Sequence, residues 1–242
     1  RRLAREGARA GPAEELTAAL LRLLSAPDAG AADDAARRVA DLMARLPSEE
    51  LLRHPELEPL RLYGRAYAQL RSGDLRTARE GLAEAVRACS GDETVLLRHR
   101  CLGRLALAEA ADGALTGAEE HAEASLEVAD EYGIPEAHRS GAACLALAAV
   151  AVERGDLHAA AVHLDRAELL PDTFRDPDLM TERSVLRSQV EIARGRWHAA
   201  LTVLGEPQPP TAPGPVSYHY LRAHENEGVR VGSLLLALMK PM

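Results

Sequence analysis

The chain has 242 residues, of which 47% are hydrophobic but only 3% aromatic, and its formal net charge is −8. An acidic balance without a Lys/Arg block argues against a free-standing nucleic-acid-binding domain, because phosphate contacts dominate such affinity. The apolar content is mostly alanine and leucine, both strong helix formers, and β-branched residues are sparse, which predicts an all-α protein.

Residues 1–11 read as a lead-in. A first helix is expected from about Pro12, with Leu16, Leu20, Leu23 and Leu24 as its apolar stripe, ending at Pro27, Asp28 and Gly30. A second follows from about Ala31 to Leu46, with Val39, Leu42, Met43 and Leu46 inward, and Pro47 stops it. Residues 48–52 read as a short helical turn, broken at His54-Pro55. Leu57, Leu60, Leu62, Tyr63, Ala66, Tyr67 and Leu70 then mark a helix ending at Gly73, the expected left-handed residue after a helix. Asp74 is the N-cap candidate of the next helix, which carries Leu75, Ala78, Leu82, Ala85 and Val86.

Further pairs are expected at about 93–112 with 114–132, 136–154 with 157–170, and 178–194 with 196–205. Gly133 is a further glycine expected just after a helix end, with Pro135 at or near the first turn of the next helix, and 171–178 is a longer connection with Asp176-Pro177 as a start signal. Pro207 to Pro215 reads as an extended linker. The expected organisation is therefore a repeat domain over 1–206, a linker over 207–215 and a C-terminal segment over 216–242 that is helical with undefined packing. The start at Arg1 rather than Met predicts a piece of a longer protein.

The turns repeat. Gly73, Gly113, Gly155 and Gly195 are spaced 40, 42 and 40 residues apart. Two residues on stand Leu75, Leu115, Leu157 and Trp197; five on stand Ala78, Ala118, Ala160 and Ala200. Seven residues before each glycine are Ala66, Ala106, Ala148 and Ser188, all small. Small residues on both helices of a hairpin let the axes approach where they cross, and larger ones fill the flanks. One hairpin leaves a face uncovered, so several must stack.

This pattern resembles the tetratricopeptide-repeat superfamily, with a longer period and aliphatic residues at most of that family's aromatic positions. The run Arg154-Gly155-Asp156-Leu157-His158-Ala159-Ala160-Ala161-Val162-His163-Leu164, with Glu131 to Pro135 and His54 to Leu57, looks more narrowly like the helical-repeat region of MalT-like regulators. These are large ATP-binding, LuxR-type bacterial transcription activators. The resemblance covers roughly residues 13–205. It implies a right-handed superhelix of about five antiparallel hairpins, whose first helices line a concave groove. It assigns to that groove Tyr63, Tyr67, Leu70, Leu107, Leu145, Ala149, Val152 and Gln189, together with Val185 and Ile192. Tyr63 and Tyr67 are the expected exposed members, each with an apolar ring and a polar end.

No reaction is legible. His158 and His163 are five apart, not on one helix face, and no HExxH or paired Cys/His spacing occurs, so no metal or cofactor is expected. Asp33-Asp34 lacks a third carboxylate at the spacing that Mg²⁺-dependent isoprenoid chemistry needs, and there is no GxSxG elbow. Glu119, Glu120 and Glu123 read as a solvated face. Cys89, Cys101 and Cys144 form no CxxC pair and read as small apolar residues of a reduced, cytoplasmic protein. The run Val229–Met239 is interrupted by Arg230 and is too short to cross a bilayer. The expectation is a non-enzymatic sensor or scaffold segment that takes a protein, a peptide or a small effector in its groove. Homo-oligomerisation is compatible with it, and direct nucleic-acid binding and membrane association are not expected. The rival is a constitutive protein-interaction scaffold without a regulatory ligand.

Overall fold

The computed structural model describes residues 57–205 continuously, residues 29–45, and residues 15, 16, 18, 19 and 22. The expectations for 48–52, 207–215 and 216–242 lie outside the described residues. Among those described, all regular structure is helical: α1 (Ala29–Arg45), α2 (Glu58–Ser72), α3 (Leu75–Ala88), α4 (Val95–Ala111), α5 (Leu115–Glu131), α6 (Gly141–Glu153), α7 (Leu157–Glu168), α8 (Pro171–Arg175), α9 (Pro177–Ala193) and α10 (Trp197–Gly205). None of these helices is long and apolar enough to cross a membrane.

Four hairpins, α2/α3, α4/α5, α6/α7 and α9/α10, share one closure. Gly73, Gly113, Gly155 and Gly195 all have φ between 74° and 84°. At Gly155, its own N–H donates to Val152 O (3.0 Å) and the Asp156 N–H donates to Ala151 O (2.9 Å). The same pair of bonds recurs at the other three turns. This is the Schellman arrangement, which satisfies the last carbonyls of the first helix and reverses the chain. Asp74 and Asp156 then cap the second helices, accepting from the Thr77 and Ala159 N–H groups. A Cβ at Gly155 would meet no heavy atom within 4 Å, so only backbone strain opposes a side chain there. Gly155→Ala is expected to cost roughly 1–2 kcal/mol, the penalty of left-handed backbone, read as a loss of unfolding free energy in urea.

The crossing alanines behave as their spacing implies. Ala78, Ala118 and Ala160 are fully buried, as are Ala66, Ala106 and Ala148 on the facing helices. Ser188 takes the same place in α9, its hydroxyl donating to the Ser184 and Val185 carbonyls. First helices α4, α6 and α9 lie side by side, and α3 and α5 each pack onto the first helix of the next hairpin. The main core runs from Ala106 on α4 through residues 142–151 of α6 to Val190 on α9. A second core joins α2, α3 and α4.

Two elements differ from the sequence reading. Helix α6 begins at Gly141 rather than near 136: Glu136–His138 is a 3₁₀ turn and Arg139 and Ser140 are extended. The cause is His99 on α4, whose Nε2 accepts the Ser140 N–H at 2.7 Å and draws the chain out of helical geometry. The 171–178 connection also contains its own helical turn, α8, before Asp176 caps α9 by accepting from the Asp178 N–H at 2.9 Å.

Candidate functional site

The first-helix face is where the expected groove residues fall, and side chains fill it. Tyr63, Tyr67 and Leu70 are buried in the α2–α4 core, and Leu107, Leu145 and Ala149 in the larger one, with Val152 packed against it. Val185 and Ile192 are buried; Gln189 is half-buried. The expectation that Tyr63 and Tyr67 are exposed is corrected: they are only 4% and 5% exposed. The physical reason is a corner of the same chain, residues 170–178, lying against them.

That corner brings acids to a basic and aromatic surface. Asp176 Oδ2 accepts from the Arg104 guanidinium of α4 and from the Tyr67 hydroxyl of α2 at 3.5 Å. Two residues on, Asp178 Oδ1 accepts from Arg71 at the end of α2. Both ion pairs are largely buried. The Arg104 guanidinium lies 5.4 Å from the centroid of the Tyr67 ring, within cation–π range. Tyr63 and Tyr67 pack as a tilted pair with centroids 6.2 Å apart. On the other side of the corner, the Gly141 N–H donates to Asp172 Oδ1 at 2.8 Å.

Burial and charge oppose one another in this cluster. Burial would lower the Arg104 pKa, but the facing Asp176 carboxylate overcomes it and holds the guanidinium charged. Burial raises both tyrosines' pKa values, most at Tyr67, where Asp176 adds to it. Burial pushes Asp172 up to about 6, against the Gly141 hydrogen bond and the charges of Arg104 and Arg100. Asp178 is also raised, by burial and then by Asp176, with Arg71 opposing.

A raised carboxylate favours the folded state when protonated. The contribution of Asp172 is therefore full below about pH 4 and lost as pH rises through about 6. Asp172→Asn keeps an oxygen for the Gly141 N–H and removes the buried charge. It is expected to stabilise the chain at pH 7 by about 1–3 kcal/mol and to flatten the stability change between pH 4 and 6. Urea unfolding at several pH values checks both.

Spacing alone missed the pairing of Arg104 with Asp176 and of Arg71 with Asp178, because the partners are 72 and 107 residues apart, and it missed Asp172, whose partner Gly141 is 31 residues away. One signal was present. Nine residues before the turn glycine, Arg104 stands where the other copies have Gly64, Ala146 and Leu186. Among the described residues, no group of three or more His, Cys, Asp or Glu side chains is placed to hold a metal ion. His158 is exposed and His163 half-buried, with the His163 pKa lowered by burial.

A family model described as the MalT-like TPR region matches residues 17–235. Comparison with curated proteins gave no match, and neither did comparison with solved structures.

Proposed function

The chain belongs to the MalT-like TPR region family, and from that premise we propose that it is the non-catalytic sensor segment of a cytoplasmic, LuxR-type bacterial transcription regulator. In this reading about five hairpins wind into a right-handed superhelix, and the first-helix side is the concave side. An effector or a protein partner binds there, and occupancy is relayed to domains beyond this segment. The supporting observation is the convergence of Tyr63, Tyr67, Arg71 and Arg104 on one face, with buried charges that a simple apolar stack of hairpins would not need. Such a face offers planar guanidinium donors and aromatic surface together, a combination suited to recognition. Direct nucleic-acid contact is assigned to other parts of the regulator, in keeping with the chain's net charge of −8.

A second reading, a constitutive scaffold, is favoured by the burial of Leu145, Ala149, Tyr63 and Tyr67, which gives a face already filled. Thermal-shift screening of small effectors, followed by hydrogen exchange of the hits, separates the two. The sensor reading expects at least one effector to slow exchange in α2, α4, α6 and α9. Protection confined to α3, α5, α7 and α10, by protein partners only, would favour the scaffold.

A further inference from the structure

We infer that the Tyr67–Arg71–Arg104 surface is a recognition site for paired carboxylates, that the chain's own 172–178 corner occupies it as an internal ligand, and that an acidic peptide segment of a partner protein takes it by displacing that corner. The inference rests on the sensor reading above and supplies the chemistry of its ligand.

The geometry of the present occupant defines the site. Two carboxylates two residues apart, Asp176 and Asp178, each meet their own arginine. Those arginines come from different helices, α2 and α4, so the site reads the separation of the two acids and not merely their charge. The Tyr67 hydroxyl adds a second donor to the Asp176 carboxylate, and the Tyr67 ring orients the Arg104 guanidinium from one side. A fork of fixed donors on an aromatic plate suits a carboxylate better than a point charge does.

The occupant is also unlike the chain's other corners. The connections at 89–94 and 132–140 bond locally or to the adjoining hairpin: Thr94 Oγ1 donates to Gly91 O, Arg139 Nε donates to Ile134 O, and the Ser140 N–H donates to His99. Only the 170–178 corner, among these three, reaches back to α2. It brings three aspartates into a buried setting, and burial raises the pKa values of Asp172 and Asp178. The four side chains of the two ion pairs keep 9–19% exposure, so the pairs can be reached from solvent at their edge. A peptide is the committed occupant because the structure shows the mode directly: a helix start in which the extended Asp176 is the cap and Asp178 lies in the first turn. Tyr67 and the Arg104 guanidinium lie in contact, the guanidinium carbon 5.4 Å from the ring centroid.

The probe is a fluorescein-labelled peptide of residues 170–182 of this chain, and the readout is anisotropy against the 242-residue protein. In the wild type the internal corner competes, and weak binding is expected. In the D176N/D178N variant the corner loses its grip, and the peptide is expected to bind at least ten-fold more tightly. Adding R71Q and R104Q to that variant should remove the gain, and a peptide with Asn at positions 176 and 178 should not bind. Succinate and glutarate test a small dicarboxylate: competition only at millimolar concentration supports the peptide, and competition at micromolar concentration overturns it. If D176N/D178N retains its helix content and binds no better than wild type, the inference is wrong.

Should D176N/D178N fail to fold, Gly141→Ala serves instead. Its Cβ would overlap Thr173 Oγ1 and come within 3.2 Å of Thr173 Cβ, pushing on the corner without altering the site. The same ten-fold gain is expected, and no gain, or loss of fold in both variants, marks the corner as an obligate core element and overturns the inference. An effector that binds the first-helix face equally well in R71Q/R104Q would leave the sensor reading standing and reject this one alone.

Discussion

His99→Ala is expected to be among the most destabilising single changes in the chain, costing roughly 3–5 kcal/mol, since it combines a large-to-small cavity with orphaned polar groups. His99 is fully buried and joins three elements. Its Nδ1–H faces the Ser125 carbonyl of α5 at 2.8 Å, and its Nε2 accepts the Ser140 N–H at the entry to α6 at 2.7 Å. Those two bonds fix the neutral tautomer with the proton on Nδ1. The Ser125 hydroxyl returns a bond to the His99 carbonyl at 2.9 Å. Alanine leaves the Ser140 N–H without its acceptor and opens a space the size of an imidazole.

His99 also carries a pH signature of its own. Burial lowers its pKa, opposed by the Ser125 hydrogen bond and aided by Arg100 and Arg139. The unfolded chain therefore takes up a proton first as pH falls below about 6.5, and stability drops from there downward. That sign is opposite to the one for Asp172, so the two are separable: Asp172→Asn should expose the fall due to His99. Thermal unfolding at pH 7.5 and pH 5.5 reads it.

Arg104→Met is expected to cost about 3–5 kcal/mol, as breaking a buried ion pair leaves an uncompensated charge. Methionine preserves much of the stem's packing, so the loss falls on Asp176, left among buried groups with only the Tyr67 hydroxyl at 3.5 Å and the helix N–H groups it caps. A chain of this size should melt about 2–4 °C lower for each kcal/mol lost. By contrast, removing an exposed pair such as Arg37–Asp34 should change stability by less than about 1 kcal/mol.

The hairpin frame was legible because a local rule wrote it. A left-handed glycine, a small residue where helices cross, and an apolar stripe at helical spacing are each decided within one hairpin. So Gly73, Gly113, Gly155 and Gly195 could be placed as turns, Asp74 as a cap and Asp176-Pro177 as a helix start, from neighbours alone. The start of α6 was not legible, since the residue that pulls Ser140 out of the helix is His99, 41 positions away. The same holds for the Tyr67–Arg104–Asp176 cluster: an aspartate's partner on a distant helix leaves no mark in local spacing. Tyr63 and Tyr67 were expected to be exposed, but they are buried under a corner whose Asp176 lies 109 residues beyond Tyr67.

The 170–178 corner docks on α2 and α4, with Asp176 meeting Arg104 and Tyr67. A double-mutant cycle with Arg104→Met, Asp176→Asn and the pair together, read by urea unfolding, measures this directly. Docking predicts strong coupling: the double variant should recover at least about 1.5 kcal/mol relative to the sum of the singles. Additivity within about 0.5 kcal/mol would contradict it, and with it the closed first-helix face.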